Sequence, residues 1–427
     1  MTARARPAII SCGVLLLLAY FVYGRVFEIR PFSGDNLRIL FWADGAPASA
    51  LLRGNPAVYP EWRPLAYTTV WLQYRWSQIG HLDVYYVVNL LVWTGCAWLV
   101  YHIVNRLAHS SAPALVAAAV VVTDQRAEVA VIGFLARASS MACLFGLIAL
   151  LLVISARDQR LTRLKWIGLS LLLLASGLSK EYGLAFTGAV AVSALVERRR
   201  DIATAAVAAG VAYALLRIEF AGGATARYCE EMGYFFTLRD VCFDGVHAAV
   251  VKQATYNVVA TGVGSILPGV FSTEGQVAIA PRWVAKSVVW LAVMAFGWWK
   301  GPTPTRMTLL VVVFNAALSF MLYRDRNHLV ALCAFGIAVG VGLAAANAAA
   351  QTSARSRLIR GTAAALLLVL LAAQAIATRK IIAAEVADSV RLDPCEALAD
   401  SRPLDPAFVR RIKAAYGMQN PDCAPGR

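Results

Sequence analysis

Apolar runs separated by short polar turns repeat along this chain. Eleven can be marked off, at residues 8–22, 85–107, 113–122, 139–156, 166–178, 182–196, 202–218, 284–299, 307–323, 328–349 and 362–378. A helix needs roughly 17–25 residues to cross a hydrocarbon core about 30 Å thick, so each run reads as a span. The third run is short, and the fifth and sixth are nearly continuous. The Ala, Val and Leu richness of the middle is that of lipid-facing helix. The pattern predicts an all-α polytopic membrane protein of about 11 transmembrane helices.

Composition agrees with the pattern. Of 427 residues, 59% are hydrophobic and 15% charged, with a mean hydropathy of +0.62, whereas soluble domains carry about a quarter charged residues. A removable leader is the rival reading of residues 1–24, which join a basic start to a short apolar core. The bulky "YFVYGRV" offers no small-x-small cleavage site, so this run is expected to remain as the first span.

Charge gives the orientation. A net +15 could suggest nucleic acid, but the basic residues sit at alternate loops rather than in one soluble patch. "TARAR", Arg106, "RDQRLTRLK", "ERRRD", "KGPTPTR" and "SARSRLIR" hold fifteen Lys or Arg against Asp158, Glu197 and Asp201. The positive-inside rule makes these loops cytoplasmic, with the N-terminus inside and the C-terminus outside. Membrane lipids, not nucleic acid, are the expected surroundings. The outer face then receives two long loops, about 23–84 and 220–283, three short turns, and a small tail over 379–427. Residues 1–378 form the transmembrane domain.

Unusual polar residues converge on that outer face, and a polar site under a membrane-embedded roof needs several loops on one side. "FSGDNLRILFWADG" carries Asp35 and Asp44. Glu128 and Arg137 flank the second outer turn, Lys180 and Glu181 cap a span, and Arg324, Asp325, Arg326 and His328 crowd another. In "PEWRPLAYTTVWLQYRWSQIG", Tyr67, Trp71 and Tyr74 recur at helical spacing, which predicts an amphipathic helix in the interface. It serves either as an anchoring aromatic belt or as the wall of a lateral groove for a lipid-linked substrate.

Cysteine usage fits an oxidising outer face. Cys12, Cys96, Cys143 and Cys333 lie in spans and read as small core residues. Cys229 with Cys242, and Cys395 with Cys423, form two outward pairs expected to be disulfides. Gly336 and Gly340, four apart in one span, predict close helix packing.

Several chemistries lack their residues. The five histidines are scattered, without HExxH or paired-Cys ligand spacing, so a divalent metal is unsupported and no cofactor is expected. "GVGSILPG" matches no nucleotide fingerprint, and no Ser, Cys and His arrangement suits acyl transfer. A carboxylate with several Arg and Lys remains, a set able to deprotonate a hydroxyl and neutralise a departing phosphate.

These residues carry a resemblance. "WRPLAYTTVWLQYRWSQIGHLDVYYVVNLLVWTGCAWLVYHIV", "AEVAVIGFLARASSMACLFGLIALLL", "LSKEYGLAF" and "YRDRNHL" follow one another as their counterparts do in polytopic GT-C glycosyltransferases using polyprenyl- or dolichyl-phosphate sugars. The order is most similar to the membrane part of tetratricopeptide-containing O-mannosyltransferase-like proteins, over roughly residues 25–350. The chain departs from that pattern in Asn36 after the first-loop acid, in Thr123 and Asp124 where the family has His-Pro, in a Glu-to-Arg spacing one residue longer than the family's, in Asn327 for a Tyr, and in lacking the repeats.

The resemblance implies a GT-C fold and an inverting glycosyltransferase. Sugar would move from a polyprenyl-phosphate carrier to a hydroxyl of a cell-envelope glycan, lipid or protein, on the periplasmic face of a bacterial inner membrane. Asp35 would be the catalytic base, and a carboxylate at the edge of a low-dielectric cavity has its pKa raised, which improves it as a base. Glu28 and Asp44 are its rivals, Asp44 otherwise being a secondary, orienting acid. Arg63 and Asn89 would be a structural pair around the interface helix. Arg63, Glu128, Arg137, Lys180, Glu181 and Arg326 supply the substrate- and phosphate-binding positions. An O-antigen-ligase or polymerase-like enzyme, or a lipid-linked glycan flippase, are the alternatives; transporters more often carry charges near the midplane.

Overall fold

The computed structural model describes residues 5–30, 34–53, 62–77, 81, 83–221, 303–318, 328–349, 354–391 and 406–415, with scattered positions at 255, 258, 259, 292, 295 and 299. Among these residues there are fifteen α-helices and no strand. The transverse set is α1 (Ala5–Tyr23), α5 (Asp83–Ala108), α6 (Ser111–Thr123), α8 (Arg137–Ser155), α9 (Arg163–Ser179), α10 (Leu184–Val196), α11 (Arg200–Ala221), α12 (Thr303–Leu318), α13 (His328–Ala349) and α14 (Ala354–Arg391). These helices take up ten of the eleven predicted spans, and the run at 284–299 lies outside the described residues apart from isolated positions.

Six helices are long and apolar enough to cross a membrane, while Ser111–Thr123, Glu181–Val196 and Thr308–Leu318 are shorter apolar segments. The third run is indeed short, a helix of 13 residues. The fifth and sixth are separated by an extended Lys180 and a 3-10 turn, Glu181–Gly183. That turn lies against α9, because a Cβ on Gly183 would overlap the Ser176 carbonyl; the Ser176 hydroxyl in turn donates to the Ala142 carbonyl at 2.7 Å. Only glycine lets the turn approach so closely. The predicted boundary at 378 falls inside α14, which runs on to Arg391.

Between α1 and α5 the first long loop folds into α2 (Gly34–Gly45), α3 (Ala50–Arg53) and α4 (Pro64–Ser77), and α7 (Glu128–Ile132) fills the second outer turn. The aromatic spacing in α4 works as expected in part. Tyr67, Val70 and Tyr74 are buried, while Leu72 and Trp76 face outward. Trp71 Nε1 donates to the Ala46 carbonyl at 2.9 Å, and Trp42 stacks on Tyr67 at 5.3 Å, so α4 is packed onto α2 rather than merely lying in an interface. Helix α15 (Pro406–Ala415) buries Phe408 and Ile412 in the same core.

The turns read as outer meet at one end of the bundle. Tyr23 donates to the Val122 carbonyl at 2.8 Å, Thr378 to the Thr123 carbonyl at 2.8 Å, and the Arg30 amide to Ser389 at 3.1 Å. At the other end the basic loops close on each other. Arg199 donates to the Ala156 and Gln159 carbonyls at 3.2 and 2.7 Å, and the Leu161 amide to Asp201 at 2.8 Å.

Candidate functional site

The α9–α10 turn places the charged pair at the end of the bundle where the turns read as outer meet. Extended Lys180 turns its side chain inward, where Nζ donates to Ser139 of α8 at 2.8 Å and lies 5.0 Å from the Tyr182 ring centroid. Glu181 points the other way and keeps 36% of its side chain exposed while Arg63, buried just before α4, donates to it at 3.3 Å. Arg217, one turn before the end of α11, acts on the same carboxylate and is fixed by donation to the Tyr213 hydroxyl at 2.8 Å. Three cations thus surround one carboxylate.

Apolar surface adjoins that charge. Trp62 and Tyr213, with ring centroids 5.9 Å apart, form a small cluster separate from the main core. Leu174, Leu178, Leu184, Leu216 and Phe220 lie partly buried against it. Cations beside apolar surface have the chemistry to meet an amphipathic anion.

Arg137 is placed differently. It opens α8 with 1% exposure, donating from Nε to Asn89 Oδ1 at 2.7 Å and from Nη2 to the Tyr85 carbonyl at 3.2 Å. Asn89 also donates to the Val131 and Gly133 carbonyls at 3.1 and 3.0 Å. Arg63 and Asn89 are therefore not a pair: Arg63 serves Glu181, and Asn89 ties Arg137 to the second outer turn. In that turn buried Asp124 and Arg126 form an ion pair at 2.7 Å, and Gln374 donates to Asp124 at 3.3 Å. Glu128 begins α7 close enough to act electrostatically on Tyr23.

Of the two first-loop acids, Asp44 is engaged. It accepts from the Tyr74 hydroxyl at 2.7 Å and from Arg411 of α15 at 2.6 Å. Burial works to raise its pKa, but the hydrogen bonds from Arg411 and Tyr74 prevail and hold it below the ordinary value. Glu28 pairs with Arg25 at 2.9 Å. Asp35 lies in the first turn of α2, where only its backbone is described. Its neighbour Asn36 accepts from the Phe134 amide at 3.0 Å, which brings the start of α2 to the second outer turn. Arg326 and the pairs Cys229–Cys242 and Cys395–Cys423 lie outside the described residues.

Arg63, Lys180 and Glu181 are thus brought together, while Arg137 and Asp44 belong to other contacts. The sequence reading passed over Arg217, which resembled an ordinary charged end of a span. A single arginine one turn before the end of an apolar run was the available signal. Among the described residues no group of three His, Cys, Asp or Glu side chains could hold a metal ion.

Among the described residues, several helices of membrane-crossing length and no strand define an all-helical, multi-pass membrane protein. No protein-family model and no curated protein matches the chain. Among solved structures it is similar to ArnT from Cupriavidus metallidurans bound to undecaprenyl phosphate, at 14% identity and a TM-score of 0.48, over 91% of this chain and 74% of that one.

Proposed function

We propose that the chain is an inverting GT-C type glycosyltransferase that moves a sugar from a polyprenyl-phosphate carrier to a hydroxyl of a cell-envelope glycan, lipid or protein, on the periplasmic face of a bacterial inner membrane. The observation that carries this reading is the set of three cations around Glu181 beside the Trp62–Tyr213 apolar cluster. The ordered resemblance of the sequence motifs supports it. Asp35 takes the proton from the acceptor hydroxyl as its oxygen attacks the anomeric carbon. The bond from that carbon to the phosphate oxygen breaks, and its electron pair leaves with the phosphate. Arg63, Lys180 and Arg217 neutralise the charge that develops there, and Arg326 joins them by the resemblance. Glu181 holds the guanidinium groups in place, and Glu128 and Asn89 order the turn that meets α2.

The test uses the full chain in nanodiscs with polyprenyl-phosphate hexoses and pentoses carrying a labelled sugar. Asp35→Asn is expected to slow transfer about 10²–10⁴-fold with unchanged thermal stability. Arg217→Ala is expected to weaken stabilisation by farnesyl phosphate about ten- to hundredfold in affinity, the worth of one hydrogen bond to a charged group. Near-normal transfer by Asp35→Asn overturns the base assignment. A parent that translocates a lipid-linked glycan without transferring sugar is a flippase instead.

A further inference from the structure

Arg137 presents a charge problem independent of the transfer reading. Its side chain is 1% exposed, and the atoms that accept from it, Asn89 Oδ1 and the Tyr85 carbonyl, are neutral. Among the described residues no carboxylate acts on it, and Nη1 is buried without a hydrogen-bond partner. Buried charges are ordinarily paired, and an uncompensated one is costly.

A second buried polar group faces the same seam. Gln73 of α4 is 7% exposed, and both its Oε1 and its Nε2 lack partners among the described residues. Its neighbours on that face of the helix locate it. One turn earlier, Thr69 donates to the Met141 sulfur of α8 at 3.7 Å, and one turn later Ser77 lies against the Tyr85 side chain. Met141 is one turn beyond Arg137, and the Arg137 guanidinium sits 5.7 Å from the Tyr85 ring centroid. Residues three and four apart share a helix face, so Gln73 falls between these two anchors, at the level of Arg137.

We propose that Arg137 Nη1 and the Gln73 amide form a second, interior anion site between α4, α5 and α8. The guanidinium supplies the charge and the Gln73 Nε2 a second donor; the Gln73 oxygen accepts from a hydroxyl of a protonated oxyanion or from a water beside a halide. The occupant is a free inorganic anion or the phosphate of a lipid, which present the same chemistry to these donors.

The experiment compares melting of the purified full chain in sodium gluconate, chloride and phosphate at equal ionic strength, and with farnesyl phosphate in gluconate. The parent is expected to melt several degrees higher with an anion that enters than in gluconate; Arg137→Gln is expected to melt alike in the three salts and to keep only the farnesyl phosphate gap that the Arg217 cluster supplies. Gln73→Leu, which leaves the guanidinium in place, is expected to lose much of the gap and serves if Arg137→Gln does not fold. Arg217→Ala, in the other cationic cluster, keeps the gap between the salts and loses only its own share of the farnesyl phosphate gap. A gap with inorganic anions identifies a free ion, and a farnesyl phosphate gap that persists in Arg217→Ala and is lost from Arg137→Gln or Gln73→Leu identifies a lipid head; either sustains the site. No gap in the parent overturns it, as does a gap undiminished in Gln73→Leu.

Discussion

Asp44 shows how one residue's partners decide its role. Asp44 was a rival to Asp35 as the first-loop base, but it is bound by Tyr74 and by Arg411, 367 residues away. Because its folded pKa is depressed, its contribution to holding α15 is complete above its unfolded value of about 4 and is lost only as pH falls through the lower, folded value. Amide exchange in 406–415, normalised for intrinsic rate, is therefore expected to stay constant from pH 8 to about 5. The ion pair is half exposed on the Arg411 side and such pairs are worth about 0–1 kcal/mol. Phe408, fully buried and 5.2 Å from the Phe41 ring, brings about 1.5–3 kcal/mol. Phe408→Ala should thus speed exchange in α15 well beyond Arg411→Ala; the opposite order would make the ion pair the dominant tie. Contacts this distant could not be read from the chain. Lys180 and Glu181 could, because adjacent charges between two apolar runs have few other places to be, whereas Arg217 took its meaning only from Glu181 across the bundle.

Helices were the most legible level, since a membrane span must be apolar along its length and the runs announce it. What the runs did not tell is how the spans pack. Gly336 and Gly340 were expected at a close crossing, and α13 does lie against α6 and α5 there. A Cβ on Gly340 would stand 2.7 Å from Val104 Cγ1 and 2.8 Å from the Ala117 Cβ; one on Gly336 would stand 2.6 Å from Val121 Cγ2. In lipid no hydrophobic force draws helices together, so this close fit is what holds the pair. Gly340→Val is expected to cost about 1–3 kcal/mol as overpacking, seen as a lower melting temperature of the solubilised protein. Gly13→Ala in α1, where a Cβ meets nothing within 4 Å, should leave it unchanged. Equal melting of Gly340→Val and the parent would mean that α13 can move away without loss. The first-loop helices α2 and α4 were harder to read, because their aromatic and polar faces satisfy protein neighbours as well as an interface.

At the scale of the whole molecule, charge and contacts bear on the same question from opposite ends of the bundle. Fifteen Lys or Arg fall in the six segments that the charge pattern puts on one side, and chains insert so that such segments stay in the cytoplasm. The Arg63, Lys180 and Arg217 cluster is at the other end, with the first loop and the α9–α10 turn. Helix α14 links the two ends. It begins beside "SARSRLIR", passes Thr123 at Thr378, meets Arg30 at Ser389, and is followed by α15 on α2. The end of the bundle that α15 reaches is therefore also the end of the cationic cluster. Alkaline phosphatase fused after Arg427 in bacterial cells is expected to be active, and a fluorescent reporter that matures only in the cytoplasm to stay dark there. The same two reporters placed after Arg160, in a basic loop, are expected to give the reverse. If the two fusions exchange behaviour, the cations face the cytoplasm, a donor would have to be reached from that leaflet, and transfer on the outer face is ruled out whatever Asp35→Asn does to the rate.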